Sequence, residues 1–338
     1  MTDALKGITV LDLTRLLPGA VATQYLASHG AEVVKIEQPG TGDYARQMNP
    51  PLFARTNAGK KSVVLDLKDL QSRKLLLALA TRADVLVEGF RPGVMARLGL
   101  AYETVQAANP NLIYVSLTGY GQHGPWSSLA GHDINYIAVG GLLALNLQII
   151  PGVQIADLVG GSMQTVVEIL MALHQRRATG CGRHIDVSMT AGVTSLLTIP
   201  LALYAETGQE SQPGNELLSG RYACYNLYQA RDGRWLAVGA LEPKFWTELC
   251  GRLGCPGLAS AQFDDARQEE LKSTLGSIFR ARDAADWFAL LRAGDCCVTP
   301  VRTVSEVAAE LPPLDLPPAP ALGQHTHEIL DSLRSSAT

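Results

Sequence analysis

The chain has 338 residues, of which 47% are hydrophobic and 18% are charged, enough for one large domain or two smaller ones. Its formal net charge of −4 at pH 7 disfavours a nucleic-acid-binding protein, because such a protein needs a basic face. We expect a cytoplasmic protein without a membrane span, since the N-terminus lacks a signal peptide and no apolar run approaches ~20 residues. The 6 cysteines have no metal-ligand spacing and are expected to be free thiols.

Short apolar strands alternate with helices through the first half of the chain, which predicts a parallel sheet covered on both faces. Pro18 is predicted to begin the first helix and Gly30 to end it. The polar segment 41–59 is predicted to be irregular. The predicted strands are 8–13, 31–37, 63–67, 84–88 and 112–117, and the predicted helices are 18–29, 70–81 and two short helices before the fifth strand.

The second half changes character after a segment rich in Gly, Ser, Gln and Pro, which is predicted to be a linker. Before it, the pattern predicts a helix at 162–178, a strand at 185–187 and an apolar helix to about residue 206. After it come a predicted hairpin (225–229 and 235–238) and three amphipathic helices (243–253, 268–280, 284–292). We therefore predict a large Rossmann-like domain (1–206), a linker (207–220), a small α+β domain (221–308) and a proline-rich tail (309–338) that returns to the large domain.

The predicted sheet lacks the glycine fingerprint of a dinucleotide-binding fold. Its first turn, residues 14–19, reads Thr-Arg-Leu-Leu-Pro-Gly, although Glu37 stands where such folds place a ribose-binding carboxylate. Residues 119–124 match the fingerprint formally, but no helix follows them at once. We expect no NAD site, and we interpret the glycine-rich loop around Gly121 as one that lets the backbone approach another ligand.

Three cations stand at predicted loop ends of the sheet, where they could bind a phosphate-rich ligand. Arg91 follows a strand, and ligands bind at the carboxyl ends of strands in open α/β sheets. Lys60 and Lys61 precede a strand and would reach that edge only if their loop folds back. The alternative for all three is solvated surface charge.

His132 and Asp157 are candidates for an acid/base pair. Each lies at a predicted loop-to-helix junction, and the helix dipole stabilises an anion at the position of Asp157. The alternatives are a structural histidine and an aspartate that only caps its helix. Glu242 opens a helix directly after a strand and could be no more than a first-turn acidic residue. His325 and His327 lack a third histidine nearby, so no metal site is predicted.

Seven ordered motifs resemble those of the family III CoA-transferases, and within that family they are most similar to the alpha-methylacyl-CoA racemases. The similarity spans nearly the whole chain and ends with Pro-Ala-Leu-Gly-Gln-His-Thr at 320–326. The motifs are Leu-Asp-Leu-Thr-Arg-Leu-Leu-Pro-Gly (11–19), Val-Val-Lys-Ile-Glu (33–37), Lys-Lys-Ser-Val-Val-Leu-Asp-Leu (60–67), Glu-Gly-Phe-Arg-Pro-Gly (88–93), Gly-Tyr-Gly-Gln-His-Gly-Pro (119–125), Gly-His-Asp-Ile-Asn-Tyr (131–136) and Ala-Asp-Leu-Val-Gly-Gly (156–161).

The resemblance implies a homodimer of interlocked rings, with coenzyme A bound on the large domain as part of an acyl-CoA substrate. It implies contacts to coenzyme A from the 14–18 turn, with Arg15 and Leu16, and from the three cations named above. His132 and Asp157 inherit the roles of the two acid/base groups. Glu242 would support that site from across the dimer. No metal, flavin or pyridoxal cofactor is required.

Three functions stay open at this point. The first is a racemase that inverts the α-carbon of 2-methylacyl-CoA thioesters by two-base proton transfer through an enolate. The second is a CoA-transferase that moves CoA between carboxylic acids through an aspartyl-CoA thioester at Asp157, and the third is a CoA-thioester-binding protein without turnover. The histidine favours the racemase, because the transferases are not expected to carry the Gly-His-Asp motif. Two departures from the family are Gln38 in place of a common arginine and a short segment at 141–152.

Overall fold

The structure of this chain is a computed structural model, which describes residues 3–146 and 149–335. The fold separates into two compact units: unit 1 comprises residues 3–144, 149–198 and 314–335, and unit 2 comprises residues 145–146 and 199–313. The boundary falls before residue 199, earlier than the predicted linker. The reason is that Ile199 and Leu203 line one apolar cavity together with Leu217 and Tyr222 of unit 2.

A six-stranded, fully parallel sheet forms the centre of unit 1. Its strands are β1 (Thr9–Leu13), β2 (Glu32–Glu37), β3 (Lys61–Val64), β4 (Val85–Glu88), β5 (Ile113–Thr118) and β6 (His184–Ser188). They lie in the order β3-β2-β1-β4-β5-β6. The five strands predicted for the sheet are confirmed, and the strand predicted separately at 185–187 adds a sixth at the edge. The Rossmann-like prediction is therefore correct for unit 1.

Helices cover both faces of this sheet, because its strands are apolar on both sides. All six residues of β5 are buried, and separate hydrophobic clusters form on the two faces. The helices are α1 (Leu17–Ala27), α2 (Ala45–Met48), α3 (Pro50–Thr56), α4 (Leu70–Ala80), α5 (Val94–Arg97), α6 (Tyr102–Ala108), α7 (Asp133–Val139), α8 (Gln164–Thr179) and α9 (Met189–Ser195).

Segment 41–59 is not irregular as predicted, since it contains α2 and α3. The side chain of Asn49 accepts a hydrogen bond from the backbone N–H of Leu52 at 3.1 Å, which caps α3. Pro50 occupies the first turn, where its missing N–H costs nothing. The sequence Asn-Pro-Pro at 49–51 is therefore a helix-start signal that outweighs the polar composition of the segment.

The helix predicted at 162–178 begins earlier, at Ala156, as a π-helix (Ala156–Met163) that continues directly into α8. Asp157 consequently lies inside a first helical turn, and not just before one. A π-helix is rare and often marks a functional site. The combined helix Ala156–Thr179 is by length and composition apolar enough to cross a membrane, but half of its most apolar stretch is buried in the fold, as in the core helix of a globular domain.

Unit 2 is a small α+β fold around a three-stranded antiparallel sheet. The predicted hairpin and the three predicted helices are confirmed, and Trp246, Phe279 and Trp287 form the centre of their core. The third strand was not predicted, because it is only three residues long. The elements are α10 (Thr198–Thr207), β7 (Tyr225–Gln229), β8 (Trp235–Gly239), α11 (Pro243–Arg252), α12 (Gln268–Phe279), α13 (Ala284–Leu291), β9 (Val298–Pro300) and α14 (Val304–Glu310).

The C-terminal segment covers the edge strand of the parallel sheet in unit 1. The backbone N–H of His325 donates to Ser62 O at 2.9 Å, and Thr326 Oγ1 accepts from the backbone N–H of Val64 at 3.0 Å. The helix α15 (Thr326–Ser335) then follows. The segment satisfies backbone groups that an edge strand would otherwise expose.

Candidate active site

A cavity of about 510 Å³ opens at the carboxyl edge of the parallel sheet. It lies where β1, β4 and β5 end, the position at which open α/β sheets bind ligands. The loops after these strands supply most of its wall. The residues that line it include Thr14, Arg15, Arg91, Gly119, His132, Asn135 and Tyr136.

His132 reaches this cavity as the residue that caps α7. Its backbone is extended, and its N–H donates to Asn135 Oδ1 at 3.0 Å. This bond fixes the residue at the helix start while the imidazole stays exposed to the cavity. Histidine is the side chain best suited to gain and lose a proton near neutral pH. The predicted helix start is confirmed.

Asp157 is tied to the start of α7 by the residue next to His132, although it is not among the residues that line the cavity. The backbone N–H of Asp157 donates to Asp133 Oδ1 at 2.9 Å, which ties the first turn of the π-helix to the first turn of α7. The structure thus brings together the two junctions that carry His132 and Asp157. They are separated in the sequence by the short segment 141–152, of which residues 147 and 148 lie outside the described residues.

The carboxyl group of Asp157 holds a proton more readily than an ordinary aspartate does. Burial and, less strongly, the neighbouring Asp133 charge together raise its pKa to about 6, against the opposing charge of His132. Shifts of this kind concentrate at sites of proton transfer. Asp157 can therefore exchange between acid and carboxylate close to neutral pH.

Two glycines hold the Asp157 helix against α9. A Cβ atom on Gly160 would lie 2.4 Å from the carbonyl oxygen of Met189, and one on Gly192 would lie 2.4 Å from the Cα of Gly160. Only glycine allows so close an approach of two backbones. The Ser162 hydroxyl completes the attachment by donating to Pro18 O at 2.7 Å, at the start of α1.

Tyr136 is a site residue that sequence reasoning missed. Its hydroxyl donates to Gly131 O, and a Cβ atom on Gly119 would lie 2.1 Å from its ring, so the ring is packed tightly in the cavity wall. Burial and the nearby Asp157 raise the pKa of Tyr136 to about 12, so its hydroxyl stays protonated. The available signal was its position one helical turn after His132.

Of the residues predicted to contact coenzyme A, two line the cavity and the others do not. Arg15 and Arg91 both line the cavity. Leu16 has a left-handed backbone with φ 60°, and its N–H is bound within the fold. Gly121 also has a positive φ, of 84°, and it packs against Ser188 and Asp186. Gly119, and not Gly121 as expected, lines the cavity.

Lys60 and Lys61 are not at the cavity. Lys60 is buried, and its ammonium group donates to Asp12, Thr23, Asn57 and the carbonyl of Ala20 at 2.8–3.0 Å. All its donors are used, so the structure gives it a structural role in place of the expected phosphate contact. Lys61 begins β3, at the amino edge of the sheet.

At that edge Lys61 pairs with Glu32 at 2.8 Å and with Glu328 at 3.3 Å.

Glu242 belongs to unit 2, where it is the N-cap of α11, and its role at the site of a partner chain stays a prediction. Within residues 3–146 and 149–335, no group of three or more His, Cys, Asp or Glu side chains is arranged to hold a metal ion.

Comparison with known proteins gives one consistent result. The sequence pattern of CoA-transferase family III matches residues 5–314. The chain is 37% identical to alpha-methylacyl-CoA racemase of Homo sapiens over 320 residues, 90% of this chain and 79% of that protein. It is 35% identical to acetyl-CoA:oxalate CoA-transferase of Acetobacter aceti, over 90% of this chain and 82% of that protein. A crystal structure of a CaiB/BaiF family protein from Brucella suis matches with a TM-score of 0.83 at 27% identity, covering 98% of this chain and 100% of that one.

Proposed function

Since the chain belongs to CoA-transferase family III, we propose that it is a racemase that inverts the α-carbon of 2-methylacyl-CoA thioesters. One observation carries the proposal: His132, which lines the cavity, and Asp157 lie in the first turns of two helices that Asp133 ties together. One is a histidine and the other a carboxyl group with a pKa of about 6. A base and a carboxyl group that holds its proton more readily than usual are what a two-base racemisation needs.

The proposed reaction needs only proton transfers on the substrate. The thioester carbonyl acidifies the α-proton, and His132 removes it from one face to leave an enolate. Asp157, protonated in that half-reaction, returns a proton to the other face. The roles exchange for the opposite enantiomer. We expect backbone N–H groups at the helix starts to stabilise the enolate oxygen.

The cavity supports binding of the CoA part of the substrate. Arg15 and Arg91 give it two cations, which suit phosphate groups. Arg15 and Phe90 also line an adjoining cavity of about 200 Å³ at the carboxyl ends of β2 and β3. A long ligand could therefore run from one cavity to the other past Arg15. No cofactor enters the proposed reaction, and coenzyme A is present as part of the substrate.

We propose that the active form is a homodimer, in which Glu242 of one protomer supports the site of the other. An exposed row of apolar side chains on α8, which continues the helix of Asp157, is an argument for a dimer. Val167, Leu170 and Met171 are 48%, 42% and 50% exposed on α8. Contiguous exposed apolar surface of this kind usually marks a protein interface.

CoA transfer between carboxylates is the second candidate, favoured by the similarity to the CoA-transferase of Acetobacter aceti. In that reaction the Asp157 carboxylate attacks the acyl-CoA carbonyl and releases CoA thiolate, leaving a mixed anhydride. The thiolate then attacks the Asp157 carbonyl, which frees the first carboxylic acid and forms the aspartyl-CoA thioester. An acceptor carboxylate finally takes over the CoA by the reverse steps.

The variant His132→Ala separates the two candidates. We expect wild-type protein to invert each enantiomer of a 2-methylacyl-CoA and His132→Ala to lose at least about 100-fold in rate, because proton transfer loses its base. Chiral chromatography of the hydrolysed acids measures inversion, and CoA transfer to added oxalate is followed in the same samples. Transfer by wild-type protein that persists in His132→Ala, without inversion, would establish the second candidate instead.

A further inference from the structure

The turn between β1 and α1 places Arg15 at the cavity. Its backbone conformation is unusual for a turn without glycine at that position. Leu16 adopts φ 60° and ψ −142°, in the left-handed region that side chains other than glycine rarely enter. Such a conformation persists only where the surroundings impose it. The residues that impose it lie beneath the turn.

Asp43 and Lys35 hold the two neighbours of Arg15. Asp43 Oδ1 accepts a hydrogen bond from the backbone N–H of Leu16 at 3.0 Å. Lys35 Nζ lies 2.9 Å from Asp43 Oδ2 and donates to the carbonyl oxygen of Thr14 at 3.0 Å. The ion pair therefore bridges residues 14 and 16 and leaves the Arg15 side chain between them.

A second ion pair anchors the first. Asp12 accepts from the backbone N–H of Thr14 at 2.9 Å, and its other oxygen lies 3.0 Å from Lys60 Nζ and 3.8 Å from Lys35 Nζ. The four side chains Asp12, Lys35, Asp43 and Lys60, here called the ionic cluster, have no solvent-exposed side-chain surface. Buried ion pairs seldom stabilise more than apolar residues of the same size would. Stability alone therefore does not account for four buried charges under one turn.

The Arg15 side chain is held by the same segment that holds its backbone. Its guanidinium donates to the Tyr44 hydroxyl at 2.8 Å and to Gln38 Oε1 at 3.1 Å. It also lies over the rings of Tyr44 and Phe90, at 5.1 and 5.6 Å from their centres. Asp43 and Tyr44, adjacent in the chain, thus fix Arg15 at both ends.

We propose that Asp43, with Lys35, is a positioning residue for substrate binding, which sets the Leu16 turn so that Arg15 points at the phosphates of the CoA thioester. The proposal rests on the proposed function. It assigns a binding role to the ionic cluster, whose members do not touch the cavity themselves.

A double-mutant cycle with Arg15 tests this role, with binding of free coenzyme A measured by titration calorimetry. Asp43→Asn keeps the shape of the side chain but removes the charge that Lys35 pairs with. We expect Asp43→Asn and Arg15→Ala each to weaken binding about tenfold or more, as the loss of a charge-assisted hydrogen bond does. The double variant should bind no more weakly than Arg15→Ala alone, because Asp43 acts through Arg15.

Asp84→Asn is the matched control. Asp84 also accepts a backbone N–H, from Thr9 at 2.8 Å, and pairs with Arg176 at 2.8 Å, but it lies at the amino edge of the sheet. Its replacement should leave the affinity for coenzyme A unchanged. If Asp43→Asn does not fold, Tyr44→Phe takes its place, since it removes only the hydroxyl that Arg15 contacts.

Two results would overturn the proposed role of Asp43. One leaves the proposed function intact, and the other contradicts part of it. If Asp43→Asn weakens binding by the same factor with and without Arg15, the ionic cluster acts on the fold in general. If Tyr44→Phe does so, the segment 43–44 does not act through Arg15. In both cases the proposed function stands. If Arg15→Ala binds coenzyme A as tightly as wild type, Arg15 does not contact the ligand, and this part of the proposed function fails as well.

Discussion

Two aspartates of unit 1, Asp12 in β1 and Asp157 in the π-helix, experience opposite environments. Burial would raise the pKa of both. At Asp12, Lys35, Lys60 and hydrogen bonds from Thr14 and Thr23 outweigh burial and hold the pKa far below its usual range. At Asp157, burial and the adjacent charge of Asp133 together raise the pKa to about 6. The fold uses a fully paired carboxylate to fix a turn and a poorly paired one where the proposed reaction moves a proton.

The largest expected effect comes from Asp157→Asn, because it removes a proton-transfer group and keeps its shape. We expect racemisation to fall by about 10²- to 10⁴-fold. The free energy of unfolding at pH 7 should not fall, since the native state no longer holds a carboxylate where ionisation is disfavoured. Enzyme assays and urea denaturation of the same preparation measure both. A large loss of stability would show that Asp157 is structural, like Asp12.

Asp12→Asn should do the opposite and act mainly on stability. It leaves Lys35 and Lys60 buried with one carboxylate fewer, which costs about 3–5 kcal/mol of unfolding free energy. The pH dependence follows from the lowered pKa of Asp12. Its contribution to the unfolding free energy is fully present above the pKa of the unfolded state. It is lost as the pH falls through the lower pKa of the native state. The unfolding free energies of variant and wild type should therefore stay apart from pH 7 down to about pH 4, the usual value for aspartate, and converge below it. A difference that stays constant below about pH 4 would contradict the assignment.

A smaller and more specific effect is expected from Asp133→Asn. The Asp133 charge raises the pKa of Asp157, so its removal should lower that pKa towards the ordinary value for aspartate. The limb of the pH–rate profile that reports Asp157 should move to lower pH, and the asparagine oxygen can still accept the N–H of Asp157. An unchanged limb, in a variant that remains active, would mean that another group produces it.

Much of the fold could be predicted from the sequence, because apolar strands and amphipathic helices follow local patterns. The five strands of the predicted sheet, the hairpin and the three helices of unit 2 were found this way. The two helix starts that carry His132 and Asp157 were expected to converge, and the hydrogen bond from Asp157 to Asp133 joins them. The family resemblance was confirmed over nearly the whole chain.

The remaining features depend on contacts between distant segments. Lys60 is buried because its ammonium group binds Asp12, Thr23 and Asn57. The residues next to it in the sequence do not distinguish a buried lysine from a solvated one. The strand β9 exists only because β8 pairs with it. The raised pKa of Asp157 depends on Asp133, which is far from it in sequence but close in space.

Exchange of the α-proton with solvent tests the central claim most directly. Each enantiomer of a 2-methylacyl-CoA is incubated with the protein in D2O, and deuterium at the α-carbon is followed by mass spectrometry as the opposite enantiomer appears. We predict that the inverted product carries solvent deuterium from either starting enantiomer, and that Asp157→Asn stops the inversion. Full retention of the α-proton with both enantiomers, in protein shown to bind coenzyme A, would contradict the account.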